Sequence, residues 1–421
     1  MIVPSIDLVS GNAVQLVGGE TLAIDAGDPR PLMERFSLVG EVAVIDIDAA
    51  RGDGDNADLI AELCAMGPVR VGGGIRDRET ALRWLAVGAD KVIIGTAATR
   101  ELLETLPADR VIVALDARDG EVVTHGWRTR TGTALFDAIA EVRGLCCGIL
   151  VTFVEREGRL AGTDLTLAQR VVAAAGEGCR VTIAGGVTDS SEVAALDHIG
   201  ADAQVGMALY NGQLPLHKAI GAILTSDRED GLWPTVVVDE AGVALGLAWS
   251  DPESLEEAID TRTGVYHSRK RGTWRKGASS GATQTLVRVD LDCDRDAIRF
   301  TVRQSDPGFC HTAERTCWGE DAGIGRLARR LERIREQRPA GSNTVQLFDD
   351  ADLLASKLVE EAHELAAATG PEAVVHEAAD LIYFTVAKAT AEGVPLTRIA
   401  AELDRRERLV GRRPMTAKED R

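Results

Sequence analysis

Four features that the sequence lacks narrow the class of protein. No apolar run approaches the ~18 residues of a membrane-spanning helix, and the N-terminus has neither the basic nor the apolar region of a leader peptide. Seven cysteines, an odd number in a long chain, do not suit a disulfide framework. Positive charge is scarce, and the net charge of −19 argues against a nucleic-acid surface. We therefore expect a cytoplasmic, reduced protein that binds neither membranes nor nucleic acids.

The first 224 residues alternate short β-branched runs with Ala- and Leu-rich runs, about eight times, which predicts a (β/α)8 barrel. The glycine-rich turn at 72–74 is echoed at 184–186, and Gly88 is echoed by Gly200, 112 residues later in both cases. This repeat predicts two half-barrels, each with glycine turns whose backbone N–H groups bind one phosphate. The alternative is that the glycines only form turns. The glycines expected at the phosphates are Gly74, Gly95, Gly186 and Gly206.

Two aspartates end apolar strand-like runs at equivalent positions of the two halves. Asp7 follows the first run and Asp116 follows the run at 111–115. Catalytic groups of such barrels lie at the carboxyl ends of the strands. Two carboxylates that flank a ligand held at both ends suit a general base and a general acid. A single strand-end aspartate is more often a helix cap, but the repetition favours catalysis.

The barrel motifs resemble phosphoribosylformimino-aminoimidazole carboxamide ribotide isomerase, a family of histidine biosynthesis. The matching segments are 4–8, 72–76, 94–97, 115–116, 126–127 and 205–210, together with Thr152. The resemblance implies that Asp7 accepts and Asp116 donates a proton in an Amadori rearrangement of a bis-phosphorylated substrate. It also implies that the substrate is bound by Arg76, Thr96 and Thr152. Glu157 stands where that family has an aspartate.

Residues 225–322 are predicted to be β-rich, and their acids and thiols are the candidate metal ligands. We expect 292–296 to continue a strand, with its three carboxylates on one face and Cys293 on the other. Three carboxylates suit Mg2+, and three thiolates suit Zn2+ with a fourth position open for a water molecule that zinc acidifies. The expected ligands are Asp292, Asp294 and Asp296 for Mg2+, and Cys293, Cys310 and Cys317 for Zn2+.

Other readings of this region are a calcium loop and a structural zinc site. The calcium loop fails on spacing, because Ala297 and Arg303 stand where glycine and glutamate are required. The structural zinc site stays open because His311 could be a fourth ligand. A loop with five cations at 268–277 is predicted to bind phosphate, although a solvated loop is the alternative.

These motifs resemble phosphoribosyl-AMP cyclohydrolase. The matching segments are 266–269, 274–277, 280–281, 292–296 and 310–311, together with Cys317. The resemblance implies that three cysteines hold zinc across a dimer interface, that three aspartates hold magnesium, and that metal-bound hydroxide opens a purine ring. It also implies phosphate contacts from Arg269 and Lys276, and leaves His311 as a second-rank catalytic candidate. Ala278 stands where the family usually has a glutamate.

From residue 323 the sequence predicts helices over 326–337, 349–369, 372–392 and 396–409. Two of these helices carry acid pairs one turn apart in apolar surroundings, namely Glu361 with Glu364 and Glu377 with Asp380. Facing pairs would form a Mg2+ cage for a pyrophosphate, whereas the alternative is two solvated acidic faces. The pattern resembles the all-α phosphoribosyl-ATP pyrophosphohydrolases, which implies a phosphate contact from Lys357. Asn343 replaces the tyrosine usual in that family.

The sequence therefore predicts a multidomain protein: a (β/α)8 barrel with a half-barrel repeat at 1–224, a β-rich α+β metal domain at 225–322 and an all-α domain at 323–421. The resemblances together imply three successive steps of histidine biosynthesis on phosphorylated small molecules, with Zn2+ and Mg2+, in a homodimer joined through the middle domain. Two alternatives remain. One is a bifunctional cyclohydrolase and pyrophosphohydrolase with a non-catalytic barrel, and the other is a non-enzymatic metal-binding assembly or sensor protein.

Overall fold

The computed structural model describes residues 1–319 and 321–408. The described chain divides into two compact units. The first unit consists of Met1–Val238 and Leu247–Ser305, and the second consists of Asp239–Gly246 and Asp306–Arg408. Within the described ranges, every helix is too short or too polar to cross a lipid bilayer.

Among the described residues, twelve strands form the first sheet. In chain order they are β1 (Ile2–Val9), β2 (Asn12–Val17), β3 (Thr21–Gly27), β4 (Val42–Asp46), β5 (Val69–Gly72), β6 (Lys91–Ile94), β7 (Val111–Arg118), β8 (Glu121–Thr124), β9 (Thr129–Ala134), β10 (Gly148–Phe153), β11 (Arg180–Ala184) and β12 (Ala201–Val205). The eight parallel strands are β1, β4, β5, β6, β7, β10, β11 and β12, and the pairing of β10 with β7 closes them into a barrel. The predicted (β/α)8 barrel is therefore confirmed.

The order of strands in the barrel places β1 and β7 four steps apart in either direction, on opposite sides. The half-barrel repeat extends to the helix caps. The carboxylate of Asp77 accepts the backbone N–H of Thr80, and Asp189, 112 residues later, caps its helix in the same way. The helices are α1 (Arg30–Phe36), α2 (Ile47–Arg51), α3 (Ala57–Met66), α4 (Arg78–Val87), α5 (Arg100–Leu103), α6 (Leu135–Val142), α7 (Leu165–Ala175), α8 (Ser190–His198), α9 (Met207–Tyr210) and α10 (Leu216–Ile223).

Two excursions from the barrel were not foreseen from the sequence. Strands β2 and β3 form an antiparallel ribbon after β1, and β8 and β9 form one after β7. Their outer strands are largely exposed, so they lack the apolar alternation that identifies a half-buried strand. Because β1 and β7 are equivalent in the two halves, the ribbons also follow the repeat.

The middle region forms a half-barrel sheet of six strands, in the order β16-β15-β14-β13-β18-β17. The strands are β13 (Trp233–Asp239), β14 (Ala244–Ser250), β15 (Val265–Ser268), β16 (Gly272–Arg275), β17 (Gln284–Leu291) and β18 (Ile298–Gln304), and the helix is α11 (Pro252–Thr261). Tyr266 and Phe300 are fully buried with ring centroids 5.7 Å apart. The hydroxyl of Tyr266 donates to the amide oxygen of Gln284, which satisfies it inside the core.

The acidic run at 292–296 is a turn between β17 and β18, so the prediction that it continues a strand was wrong. One carboxylate oxygen of Asp292 accepts the backbone N–H groups of Asp296 and Ala297 at 3.0 and 3.1 Å. Arg295 takes a positive φ of 66° to complete the turn. Aspartate side chains form such local hydrogen bonds readily, and here they replace the ladder of a strand.

The second unit contains five helices within its described residues: α12 (Gly323–Gln337), α13 (Asn343–Asp349), α14 (Ala351–Ala367), α15 (Pro371–Ala391) and α16 (Leu396–Glu407). Their shared core includes Leu331, Leu347 and Leu354. The predicted helix over 349–369 is interrupted at Asp350, whose carboxylate caps α14 by accepting the backbone N–H of Leu353. Leu409, the predicted end of the last helix, lies outside the described residues.

Candidate active sites

Two aspartates lie at the mouth of the barrel, each held by donors from its own half. Asp7 stands on β1 and accepts a hydrogen bond of 2.9 Å from the hydroxyl of Ser5. Asp116 stands on the opposite strand, β7, and accepts from the side chains of Thr152 and Trp127. Thr152 pairs directly with Asp116 in the register of β10 and β7, so it positions this carboxylate.

Burial makes both aspartates reluctant to ionise. It raises the pKa of Asp7 to about 6, against the opposing hydrogen bond from Ser5. It also raises the pKa of Asp116, against the donors Thr152 and Trp127. A carboxyl group with a pKa near neutrality exchanges protons readily under physiological conditions, which suits a general acid or base.

Glu157 is a third carboxylate at this mouth. Burial, followed by the charges of Asp7 and Asp116, raises the pKa of Glu157 to about 7. Its carboxylate also lies beside the Gly185 turn, because a Cβ on that glycine would come within 3.3 Å of Glu157 Oε2. From the sequence, Glu157 was noted only as a departure from the family pattern. Its proximity to both aspartates could not be inferred from the sequence, because it depends on how the barrel folds.

The two predicted phosphate turns have backbone that suits glycine. Gly74 and Gly186 have φ of 68° and 90°. A Cβ on Gly74 would lie 2.6 Å from the side chain of Ala49, and one on Gly186 would lie 2.4 Å from the carbonyl oxygen of Gly162. At the third turn, a Cβ on Gly206 would meet the amide oxygen of Gln15 at 2.3 Å. The role of these turns and of Gly95 in phosphate binding stays a prediction.

The other predicted substrate contacts of the barrel lie on exposed turns. The guanidinium of Arg76 donates to the carbonyl oxygen of Ala50 at 2.8 Å, so part of its donor capacity holds the neighbouring loop. The hydroxyl of Thr96 accepts the backbone N–H of His125 at 3.5 Å. Both residues have exposed side chains.

The turn after β17 brings three carboxylates together. Ligand atoms of Asp292, Asp294 and Asp296 lie within 4.8 Å of one another, which is close enough to share a cation. Burial opposes ionisation of Asp292, but the backbone N–H groups of Ala297 and Asp296 hold its pKa below the usual value. The hydrogen bond with Asp292 and the charge of Asp294 raise the pKa of Asp296.

This acidic turn is anchored to the barrel. The guanidinium of Arg295 makes two hydrogen bonds of 3.2 Å to the carboxylate of Asp197, at the end of α8. The backbone N–H of Thr225 donates to the carbonyl oxygen of Arg295 at 2.8 Å. The Asp197 carboxylate also receives the N-terminal ammonium of Met1 at 2.6 Å.

Two of the three predicted zinc thiols meet in the second unit. A hydrogen bond from the Thr312 hydroxyl, 3.1 Å long, is the main cause that lowers the pKa of Cys310, and Cys317 contributes as well. Cys293 is exposed and belongs to the first unit. The ring of His311 is exposed, with Nδ1 3.8 Å from the sulfur of Cys310.

A histidine–aspartate pair in the middle region was missed from the sequence. His267 Nδ1 lies 2.7 Å from a carboxylate oxygen of Asp251, and both side chains are half-buried. The other carboxylate oxygen of Asp251 caps α11 through the N–H of Ser254. Sixteen residues separate the pair, and only the pairing of β14 with β15 beside α11 brings it together. Nearby, the guanidinium of Arg269 stacks on Trp249, 5.5 Å from the ring centroid.

Three of the four predicted carboxylates of the helical region converge. Ligand atoms of Glu361, Glu377 and Asp380 lie within 4.8 Å of one another, whereas Glu364 is not in this group of described residues. Burial, then the charges of Glu364 and Asp380, raise the pKa of Glu361. Lys357 donates to Glu360 at 2.9 Å, and this hydrogen bond raises the pKa of the lysine.

Three protein families match successive segments of the chain, and each segment contains one of the groups of carboxylates described above. The profile described as histidine biosynthesis protein matches residues 1–215, just over half of the chain. The chain belongs to this family. Two further profiles follow in this member of the histidine biosynthesis proteins: phosphoribosyl-AMP cyclohydrolase at 246–319 and phosphoribosyl-ATP pyrophosphohydrolase at 324–407.

Individual relatives carry related names. A histidine biosynthesis bifunctional protein of Schizosaccharomyces pombe is 49% identical over 193 residues, which cover 46% of this chain and 46% of that protein. A histidine biosynthesis trifunctional protein of Neurospora crassa is 47% identical over 207 residues, which cover 49% of this chain and 24% of that protein. The chain thus spans less than half the length of these two fungal relatives. A 1-(5-phosphoribosyl)-5-((5-phosphoribosylamino)methylideneamino)imidazole-4-carboxamide isomerase of Gemmatimonas aurantiaca is 40% identical over 225 residues, covering 50% and 94%.

Proposed function

We propose that this histidine biosynthesis protein catalyses three successive steps of the pathway. The C-terminal helices release pyrophosphate from phosphoribosyl-ATP, the middle sheet opens the adenine ring of phosphoribosyl-AMP, and the barrel isomerises the product. The observation that carries the proposal is the coincidence of three matched families with three separate carboxylate groups, one in each matched range. We further propose domains at 1–224, 225–322 and 323–421.

In the barrel step, the substrate lies between the two halves with a phosphate at each pair of glycine turns. Asp7 removes a proton and Asp116 supplies one, from opposite sides of the mouth. Burial raises the pKa of both carboxyls, to about 6 for Asp7, which supports their proposed roles in proton transfer. The donors Thr152 and Trp127 keep Asp116 in a fixed position. Glu157 is proposed to contact the substrate on the side of the Gly185 turn.

In the ring-opening step, the residues of the middle region suit two kinds of metal. The converging carboxylates of Asp292, Asp294 and Asp296 are hard oxygen donors that suit Mg2+, and the lowered pKa of Cys310 suits a thiolate ligand of Zn2+ beside Cys317. Cys293 is the proposed third thiolate, in keeping with a site that two subunits share. Zinc bound there would acidify a water molecule for hydrolysis.

Protons in this step are assigned to the pair of His267 and Asp251. The hydrogen bond between the Asp251 carboxylate and Nδ1 of His267 fixes the orientation of the imidazole. The other ring nitrogen is then left to exchange a proton with the substrate or with water. His311 stays a second candidate, because it neighbours Cys310. The basic loop carries Arg269 and Lys276, which we propose to bind the substrate phosphate.

In the pyrophosphate-releasing step, Glu361, Glu377 and Asp380 would hold Mg2+ against the phosphate chain. Their convergence on two packed helices and the half-buried setting of the group support this role. Glu364 would act from the edge of the group, and Lys357 is proposed to contact a phosphate. A metal ion bound by these carboxylates would neutralise charge on the departing pyrophosphate.

The proposal is tested by giving the purified chain each of the three substrates separately, with Mg2+ and Zn2+ present. We expect phosphoribosyl-ATP, phosphoribosyl-AMP and the ring-opened product each to be consumed. Consumption of the first two alone would favour the bifunctional alternative with a non-catalytic barrel. Full metal content without turnover of any substrate would favour the non-enzymatic alternative. Sedimentation of the same sample tests the proposed homodimer.

A further inference from the structure

His217, Glu256 and Asp260 form a group that belongs to none of the three sites above. His217 lies near the start of α10, and the two acids lie one turn apart on α11. One ligand atom from each residue lies within 4.8 Å of the others. His217 is 8% exposed, whereas Glu256 and Asp260 are 55% and 52% exposed. A buried imidazole therefore faces two carboxylates that reach it from the surface.

The imidazole of His217 is not satisfied by hydrogen bonds. Nε2 lies 3.6 Å from Glu256 Oε1, and Nδ1 lies 3.5 Å from Asp260 Oδ1. Neither ring nitrogen has a hydrogen-bond partner within 1–319 and 321–408. A buried polar group without a partner lowers the stability of the folded protein, because it has lost its hydrogen bonds to water. Buried polar groups in native proteins are nearly always hydrogen-bonded or bound to an ion, so we expect the imidazole of His217 to have another partner in solution.

Both separations are longer than ordinary hydrogen bonds, and they start from different nitrogens of the ring, so a single ion can be bound through only one of these nitrogens. In a tetrahedral zinc site the bonds to nitrogen and oxygen are ~2.0–2.2 Å, which puts neighbouring ligand atoms ~3.3–3.6 Å apart. The separation from whichever nitrogen binds the ion, 3.5 or 3.6 Å, falls in or next to this interval. One ligand atom from each of the three residues lies within 4.8 Å of the others, so the second carboxylate is also within reach of the ion. We propose that His217, Glu256 and Asp260 bind a divalent transition-metal ion, with Zn2+ as the ion of first choice for one imidazole and two carboxylates.

The proposed site lies where the barrel and the middle region join. The helices α10 and α11 are neighbours, since the side chain of Leu255 lies 3.9 Å from where a Cβ on Gly221 would be. The ion pair of Arg262 with Glu34, 2.8 Å long, also attaches the end of α11 to the barrel. A metal ion bound by both helices would fasten them together, because binding to the folded arrangement alone stabilises it.

The ligands come from two different parts of the chain. His217 lies just beyond the matched range 1–215, and both acids lie within 246–319. Neither matched range alone contains the three ligands. The site is therefore a property of the joined chain.

The test is a zinc titration of the chelator-treated full chain, with bound metal counted by mass spectrometry and melting followed by calorimetry. The wild-type chain is expected to bind one more equivalent of Zn2+ than His217→Gln. Glu256→Gln and Asp260→Asn are expected to weaken this equivalent at least ~10-fold. Both acids are largely exposed, so these two variants should fold even if the histidine variant does not.

The matched control is Glu253→Gln, which removes an exposed acid from the same helix outside the group. Titration with Co2+ separates this site from the thiols, because thiolate-bound cobalt has an intense near-ultraviolet band that nitrogen and oxygen ligands lack. The additional equivalent should appear without an increase in that band. An equal zinc count and equal zinc-dependent melting in wild type, control and ligand variants would overturn the proposal. A zinc-independent loss of stability alone would identify a simple ion pair and would also overturn it.

Discussion

Replacing Glu157 with glutamine is expected to stabilise the substrate-free barrel, and to do so only above mildly acidic pH. The pKa of Glu157 is raised from 4.5 to about 7 by burial and by the charges of Asp7 and Asp116. Between these pH values the folded protein holds a proton that the unfolded chain has released. The free energy of unfolding therefore falls as pH rises from about 4.5 to about 7. Above about pH 7 the folded protein bears the whole loss of stability that the buried Glu157 charge causes.

The size of the effect follows from the difference between the two pKa values. At ~1.4 kcal/mol for each pKa unit, the change from 4.5 to about 7 has an upper limit of about 3.5 kcal/mol. Glu157 is only half-buried, so solvent screening reduces the expected gain to roughly 1–3 kcal/mol. For a barrel of this size, roughly 2–4 °C per kcal/mol applies, so the melting temperature at pH 8 should rise by about 2–12 °C.

The assay is calorimetry of the full chain at pH 4.5 and pH 8, with Glu155→Gln as the matched control. Glu155 lies two positions away and is exposed, so its replacement should change neither melting curve. The Glu157→Gln curve should match that of wild type at pH 4.5 and exceed it at pH 8. An equal shift at both pH values, or a shift equal to that of the control, would refute the electrostatic reasoning.

Three further predictions concern individual sites. Asp7→Asn should lower isomerisation by ~100-fold or more while leaving pyrophosphate release and ring opening intact, and separate assays of the three products would detect any wider loss. Arg295→Ala should weaken Mg2+ binding to the acidic turn in a calorimetric titration, whereas Arg299→Ala should not. Equal Mg2+ affinity in the two variants would show that the contact of Arg295 with Asp197 does not support the site. Glu377→Gln should reduce pyrophosphate release more than Glu364→Gln, since Glu377 belongs to the converging group. The reverse order in a pyrophosphate-release assay would contradict the geometry.

The architecture was largely predictable from the sequence, since it depends on local patterns. Buried parallel strands show as β-branched runs, and glycine turns recur at a constant spacing, so the barrel and its repeat were evident. Asp7 and Asp116 were recognised as a pair because equivalent strands of the two halves stand on opposite sides of the barrel. The acids at 361–380 were recognised because one-turn spacing puts residues on one helix face.

The remainder depends on contacts between distant segments. Glu157 acquires its raised pKa from aspartates on β1 and β7, which no local pattern connects to it. His267 meets Asp251 only through the packing of a strand against a helix end. The acidic turn was taken for a strand because alternating acids imitate the two-residue period of a strand. The turn is instead fixed by the backbone N–H groups of Asp296 and Ala297, which donate to the carboxylate of Asp292.

The most direct test of the central claim is a time course with phosphoribosyl-ATP as the only substrate of the purified wild-type chain. Mass spectrometry would follow phosphoribosyl-AMP, the ring-opened product and the isomerised product in one reaction. We expect these species to appear in this order and the isomerised product to accumulate at the end. Accumulation of the ring-opened product without isomerisation would contradict it.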